Sequence, residues 1–426
     1  MELTVLFGSF FLLLLAGLPV AFCLGLSSLA TLYYLDIPIV VAFQRMAAGM
    51  NVFALMAIPF FIYAGELMHR SGMAERLVRF ARSLVGGTRG GLGHVSVFSS
   101  MMFGAVSGSA VASASAMGAA LVPIMKREGY DDDFAVNVTT TAATTGLLIP
   151  PSHNMIIYAV AAGGGVSIAS LFLAGLLPGL LLGLSLMAVT HVMAGARAYP
   201  RGRFPGWRSV LGSFAGAIPG LISAFIIVGG ILSGVFTATE SSAIAVLYTL
   251  VVSLVVYRSL DWSSFVAASV KAVSTTAMVM FVIGTASAFG WLMAVAEVPL
   301  KLSTSLLALS DDPLVLMLLV NAILLVLGTF MDMSPLIIIT TPIFLPVAQG
   351  LGIDPVQFGV ILILNLGIGL VTPPVGSVLF VGCAVGGIPV ERSVRSIWPF
   401  YLAMVAVLAL VTAFPDISLI LPKTFQ

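Results

Sequence analysis

Two proline pairs, Pro150-Pro151 and Pro373-Pro374, each interrupt a long apolar run, and they lie 223 residues apart. The first sits in Gly146-Leu147-Leu148-Ile149-Pro150-Pro151-Ser152-His153-Asn154, the second in Gly369-Leu370-Val371-Thr372-Pro373-Pro374-Val375-Gly376-Ser377. The same shift superimposes Pro123 on Pro346, Gly129 on Gly352, Asp131 on Asp354, Ala161 on Ala384 and Gly163-Gly164 on Gly386-Gly387. That makes 10 identities over the 42 positions from Pro123 to Gly164, without a gap. The breaks therefore belong to an internal repeat. Paired interruptions, one per half, point to the substrate site of a secondary transporter.

Each half carries a second polar interruption of an apolar stretch. The first is Gly104-Ala105-Val106-Ser107-Gly108-Ser109, followed by Ser113 and Ser115. The second is Gly328-Thr329-Phe330-Met331-Asp332-Met333-Ser334-Pro335. Non-helical backbone at membrane depth must be buried in protein or line a watery cavity. Its carbonyls are hard oxygen ligands for a small cation, helped by hydroxyls, while half-helix N-termini favour an anion. We expect each tip to pair with one break, Gly104–Ser109 with Gly146–Asn154 and Gly328–Pro335 with Gly369–Ser377. The competing expectation is that proline pairs merely kink helices and that small residues serve close packing.

Asp332 is the carboxylate expected near mid-membrane, where an ionised group is costly and marks function. It either ligates or balances a cation, or it caps the helix that starts at Ser334-Pro335. Ser109 stands in the equivalent place in the first half, so the two sites would differ in charge. Asn154 offers an amide to a substrate. Glu240 in Thr237-Ala238-Thr239-Glu240 reads as a capping motif, and Glu66 as a partner of Arg70 at i+4. Thr139-Thr140-Thr141 and Thr144-Thr145 either line an aqueous path or bond back to their own helix.

The elements that hold these residues follow from composition. Apolar residues are 60% of the 426 and charged residues 8%, with net charge +1. So few charges cannot cover a soluble protein of this size, so lipid is the solvent and nucleic acid is excluded as a partner. Cys23 and Cys383 are isolated and read as packing residues. Walker A, HExxH, GxSxG and paired acid-base aspartates are lacking, which argues against an ATPase or a membrane enzyme. Spanning helices are expected near 2–17, 19–35, 47–70, 132–162 and 168–195, and again near 213–235, 238–257, 263–295, 354–385 and 396–421. The stretches 91–127 and 313–350 then read as re-entrant hairpins. The fold class is thus an all-α polytopic membrane protein, an inverted-topology repeat of five crossings plus one re-entrant hairpin each.

Charge asymmetry tests the orientation. With the N-terminus outside, 15 of the 18 Lys and Arg fall inside, leaving Arg45, Lys301 and Lys423 outside. A true crossing in place of either hairpin would collapse this positive-inside bias. Both termini are therefore expected on the outer side. An interfacial helix is expected between Gly72 and Gly90, with Leu77, Phe80, Ala81 and Leu84 on one face and Arg76, Arg79 and Arg82 around the other, meeting anionic headgroups. Its counterpart would put Leu302, Leu306 and Leu309 on one face. Residues 1–90 are read as frame helices and arm, 91–165 as a first core, 166–312 as the second frame and arm, 313–388 as a second core, and 389–426 as a last frame helix.

With repeat, tips and breaks in hand, the chain resembles the large membrane subunit of tripartite ATP-independent periplasmic (TRAP) transporters from end to end. The most specific residues are Gly104–Ser109, Leu148-Ile149-Pro150-Pro151-Ser152 and Gly234-Val235-Phe236-Thr237-Ala238-Thr239-Glu240. Gly328–Pro335, Thr341-Pro342-Ile343-Phe344-Leu345-Pro346 and Thr372-Pro373-Pro374-Val375-Gly376 complete them, with Ala238 where the family commonly has proline. The resemblance implies a sodium-driven importer of organic anions in the bacterial inner membrane, moving a core against a frame in an elevator manner. It implies Na+ as coupling ion, a small four-helix membrane subunit and a periplasmic binding protein. Carried onto this chain, sodium site 1 is Ser107, Gly108, Ser109, Gly146, Ile149 and Ser152. Sodium site 2 is Thr329, Met331, Asp332, Gly369, Thr372 and Val375. Ser107, Asn154, Ser334, Gly376 and Ser377 would meet the substrate. The alternative is a stand-alone ion antiporter or anion exporter of the same architecture, which needs a titrating carboxylate such as Asp332.

Overall fold

The computed structural model describes residues 1–307 and 312–425, and its regular structure there is helical. The first third holds α1 (Glu2–Leu15), α2 (Val20–Tyr34), α3 (Val40–Met50), α4 (Ala57–Arg70), α5 (Met73–Val85), α6 (Gly91–Ser107) and α7 (Ala110–Arg127). Next come α8 (Asp132–Ala143), α9 (His153–Ala161), α10 (Ile168–Ala196), α11 (Trp207–Leu232), α12 (Ala238–Val251), α13 (Trp262–Val295) and α14 (Val298–Leu307). The last third holds α15 (Pro313–Phe330), α16 (Met333–Gly350), α17 (Pro355–Gly369), α18 (Ser377–Gly386), α19 (Val390–Ser396), α20 (Trp398–Ala413) and α21 (Asp416–Phe425). Among the described residues, six helices are long and apolar enough to cross a membrane, or up to nine when each bent pair is one span. The chain is therefore a multi-pass membrane protein.

Helix, arm, helical hairpin, broken helix and long helix recur in one order. They are α4, α5, α6–α7, α8–α9 and α10 in the first half, and α13, α14, α15–α16, α17–α18 and α20 in the second. The first segments of the broken helices are enclosed almost throughout. Every residue of α8 from Phe134 to Ala143 is buried, as is every residue of α17 from Gln357 to Gly369. A helix apolar nearly all round, such as α17, belongs in an interior, while α8 buries Asn137, Thr139, Thr140 and Thr141 with its apolar residues. They run antiparallel past one another. A Cβ on Gly367 would lie 3.1 Å from Leu147, on Gly359 2.4 Å from Tyr158, and on Gly386 2.2 Å from Val136.

Glycines bring the hairpins onto the breaks. A Cβ on Gly104 of α6 would fall 2.1 Å from the Gly146 Cα, and one on Gly369 2.7 Å from the Gly328 Cα. Each hairpin thus crosses its own broken helix backbone against backbone. Gly175 and Gly179 of α10 meet Leu148 and Ile149 in the same way from the other side, a small-residue seam of the kind that lets membrane helices approach closely.

Several expectations are refined. The span expected over 47–70 is α3 and α4 joined by a 3-10 turn (Phe53–Met56) and bent by 66°. Asn51 ends α3 and Val52 is extended. The last span, expected over 396–421, bends by 56° between α20 and α21 where Pro415 cannot continue the helix. The arm α5 buries Leu77 and Ala81 but leaves Leu84 41% exposed, since its inner face packs on Val95, Met102 and Phe103 of α6. In the second arm Leu309 lies outside the described residues. Glu66 forms no ion pair with Arg70 among the described residues. Thr237 and Glu240 close the expected capping box.

The paired-glycine crossings set a stability prediction. In Gly146→Ala the new methyl meets the Gly104 Cα at 2.5 Å, and backbone cannot step aside as a side chain can. Overpacking of this kind costs about 1–3 kcal/mol or more. We expect a lowered melting temperature in detergent for Gly146→Ala and Gly104→Ala. Gly195→Ala, on α10 with nothing within 4 Å, should melt at or slightly above the parent. Equal melting of all three would remove the crossings as a structural requirement.

Candidate functional site

The first tip is built by Ser107, Gly108 and Ser109 between α6 and α7. Gly108 adopts φ +61, a left-handed turn that glycine takes without a Cβ clash. A side chain there would also strike the Pro151 carbonyl oxygen at 2.9 Å. The tip therefore lies directly on the proline pair of the first break. Ser109 caps α7, its Oγ accepting from the Ala112 N–H at 3.3 Å. Ser107 closes α6, only 6% exposed, and its Cα lies 3.3 Å from where a Cβ on Gly65 of α4 would stand.

Across from the tip, Gly146 ends in a 3-10 turn (Thr144–Leu147), Ile149 is buried, and Ser152 precedes α9. Ser152 stands at the N-cap position without a side-chain capping bond. The hydroxyls of Ser107 and Ser152 and the Asn154 Oδ1 are all buried and lack a hydrogen-bond partner. Unpaired buried oxygens are costly, and native structures rarely leave them without a reason. Three of them converge on one tip-and-break pair, which is the arrangement an oxygen-liganded cation or a polar substrate would satisfy.

The second pair is built alike and differs in charge. The Val375 N–H donates to the Thr329 carbonyl oxygen at 3.0 Å, tying break to tip. Met331 is extended and buried, and Asp332 stands at the N-cap of α16. Its carboxylate makes no side-chain capping bond; it accepts from the Ser377 Oγ at 3.3 Å across the break. Gly369 ends α17, Gly376 turns with φ +22 ahead of α18, and Ser334 is buried in the first turn of α16. Thr372 spends its hydroxyl on the Ile368 carbonyl at 2.7 Å, leaving its oxygen lone pairs as acceptors.

The contacts between tip and break run through Gly104 and Gly146 and Gly108 and Pro151 in the first half, and through Gly328 and Gly369, Thr329 and Val375, and Asp332 and Ser377 in the second. The threonine run resolves toward back-bonding. Thr139, Thr141, Thr144 and Thr145 each donate to a carbonyl three or four residues earlier, while Thr140 is buried without a partner. Sequence reasoning missed Ser99 and Ser100 on α6, whose buried hydroxyls also lack partners. Their only signal was the serine pair within an apolar run. It also missed the amides joining elements around the second broken helix. Asn365 of α17 donates to the Asn321 Oδ1 at 2.8 Å, and Asn321 to Thr412 of α20 at 2.9 Å.

This architecture has known counterparts. The Alcanivorax borkumensis YdaH transporter structure superposes with a TM-score of 0.64 over 91% of this chain and 89% of that one, at 14% identity, a likeness of fold alone. An uncharacterized protein YgiK from Salmonella typhimurium is 44% identical, covering 99% of this chain and 97% of that protein. The sialic acid TRAP transporter large permease protein SiaM of Vibrio cholerae is 41% identical, covering 97% of this chain and 96% of its own. The sequence profile described as the tripartite ATP-independent periplasmic transporter, DctM component, matches residues 7–417. End-to-end agreement of this kind bears out the resemblance drawn from the tips and breaks: the chain is a transport protein rather than an enzyme, and it belongs to the DctM family of TRAP transporter large permeases.

Proposed function

We propose that this chain is the sodium-driven importer subunit for a small organic anion, working in the inner membrane with a periplasmic binding protein and a small four-helix membrane subunit. The observation that carries the reading is the convergence of the unpartnered Ser107, Ser152 and Asn154 oxygens on a tip packed against a proline-paired break. Site 1 (Ser107, Gly108, Ser109, Gly146, Ile149, Ser152) offers hydroxyl and carbonyl oxygens. Site 2 (Thr329, Met331, Asp332, Gly369, Thr372, Val375) adds a carboxylate. Substrate then lies against Ser107, Asn154, Ser334, Gly376 and Ser377, with the co-bound cations and half-helix N-termini as counter-charge. The sialic acid in the name of the Vibrio cholerae relative supports a carboxylate as the substrate class.

The two halves act as inverted repeats, each contributing five crossings and one re-entrant hairpin. The antiparallel passage of α8–α9 against α17–α18 supports this, and so does the fifteen-to-three charge asymmetry obtained with both termini on the periplasmic side. Hairpins and broken helices (91–165 and 313–388) form the moving core. The remaining segments (1–90, 166–312 and 389–426) form the frame and arms. The core slides as an elevator, carrying both sites across together.

Reconstitution tests the reading directly. With the small subunit and binding protein in liposomes, uptake of radiolabelled organic acids should require an inward sodium gradient and the binding protein. Uptake indifferent to sodium, or proceeding without the binding protein, contradicts it. Proton-coupled exchange without sodium, abolished in Asp332→Asn, would establish the antiporter instead.

The sites give a second prediction. Ser107→Ala and Ser152→Ala each remove one oxygen ligand, and about 1–3 kcal/mol per lost polar partner corresponds to roughly a 5- to 150-fold weaker cation. The sodium concentration for half-maximal uptake should rise by that order in each variant while melting temperature holds. Asp332→Asn should also raise it, by removing charge. Unchanged sodium dependence in all three would return the breaks to simple kinks.

A further inference from the structure

Five arginines gather where the arm α5 meets the loop between α10 and α11. A crevice of about 260 Å³ is lined by Arg79 and Arg82 of α5, Glu128 and Tyr130 beyond α7, and Arg201 and Arg203 of the loop. An adjoining hollow shares Arg201 and adds Arg89. The backbone holds these charges in place. Arg89 and Arg201 pair as an antiparallel bridge, Gly90 donates to the Pro200 carbonyl at 3.3 Å, and a Cβ on Gly202 would lie 2.0 Å from the Gly86 carbonyl oxygen. Ser83 and Ser213 hydroxyls, 2.7 Å apart, tie the same arm to α11.

The crevice holds far more positive than negative charge. Among the described residues Arg82 pairs with Glu128 at 2.9 Å, and Arg79, Arg89, Arg201 and Arg203 have no ionic partner. Folding has brought like charges together without supplying the counter-charge. Guanidinium groups fit the geometry of phosphate oxygens. The rim is apolar and exposed. Phe204 and Trp207 pack edge to face at 5.5 Å while remaining 50% and 71% exposed, and Leu211 is exposed one turn on. Aromatic side chains of this kind sit at the headgroup level of a bilayer. A soluble phosphate would use the arginines and leave this rim without a role, whereas a phospholipid would use both.

We propose that this crevice is a headgroup site for an anionic phospholipid, its phosphate held by Arg79, Arg201 and Arg203 and its chains running along Phe204, Trp207 and Leu211. A lipid seated there would fasten the arm, the hairpin that follows it and α11 at one membrane face. The site does not depend on the transported ion or substrate, so its test is separate from that of the transport reading.

Native mass spectrometry of the purified full chain, titrated with phosphatidylglycerol or phosphatidylcholine, measures the site. Phosphatidylglycerol should bind at least about tenfold more tightly. The Arg79→Gln, Arg201→Gln, Arg203→Gln triple variant should lose that preference, since each basic residue near an anionic surface contributes about fivefold. Arg258→Gln, basic but outside the crevice, should keep it. Should the triple variant fold poorly, Arg203→Gln alone, in the exposed loop, should weaken phosphatidylglycerol about fivefold. Equal binding of the two lipids, or an unchanged preference in the crevice variants, overturns the proposal. Displacement of phosphatidylglycerol by millimolar inorganic phosphate, beyond that caused by chloride of equal ionic strength, would overturn the lipid assignment and identify a soluble phosphate site.

Discussion

The fold depends on backbone touching backbone at two places, Gly104 on Gly146 and Gly328 on Gly369. A helix broken inside an apolar setting strands carbonyl and N–H groups that lipid cannot satisfy. They must find protein partners or a polar ligand. Glycine on both sides of each crossing lets the hairpin tip come close enough to cover the break. In the second half the cover includes a direct bond, Val375 N–H to Thr329 carbonyl. In the first half it leaves Ser107, Ser152 and Asn154 oxygens buried and unpaired. The same contact that covers a break therefore also leaves unpaired polar oxygens beside it.

The pseudo-symmetry is incomplete where it matters chemically. Ser109 and Asp332 hold equivalent places, yet Ser109 caps its helix while Asp332 reaches across to Ser377. One pair is thus neutral and the other carries a carboxylate, a difference that would let two bound cations differ in affinity. Around the second pair, Asn321, Asn365 and Thr412 lace hairpin, broken helix and α20 together, and near the first broken helix Asp132 meets Lys126 and Arg392 at 3.3 and 3.4 Å. Exposed pairs such as these contribute little each.

Much of this was legible because proline, glycine and charge act locally. Pro150-Pro151 and Pro373-Pro374 end helices wherever they occur, and glycine and serine at Gly104–Ser109 cannot continue an apolar span quietly. The membership followed from those residues and holds along the whole chain. What escaped depends on tertiary packing. The bend after Met50 carries no proline, only Asn51, so the span over 47–70 read as continuous. The exposure of Leu84 follows from which face of α5 the hairpin covers, a choice that periodicity alone leaves open. The back-bonding of Thr139, Thr141, Thr144 and Thr145 turns on rotamers rather than on residue type.

The transport proposal requires a cation at each tip-and-break pair. Equilibrium binding of radioactive sodium to the purified chain tests it without substrate, partners or a gradient. One sodium ion should bind saturably at each pair, with one ion lost in the Ser107→Ala, Ser152→Ala double variant and the other weakened in Asp332→Asn. Binding that never saturates, or that is untouched by either change, would contradict it.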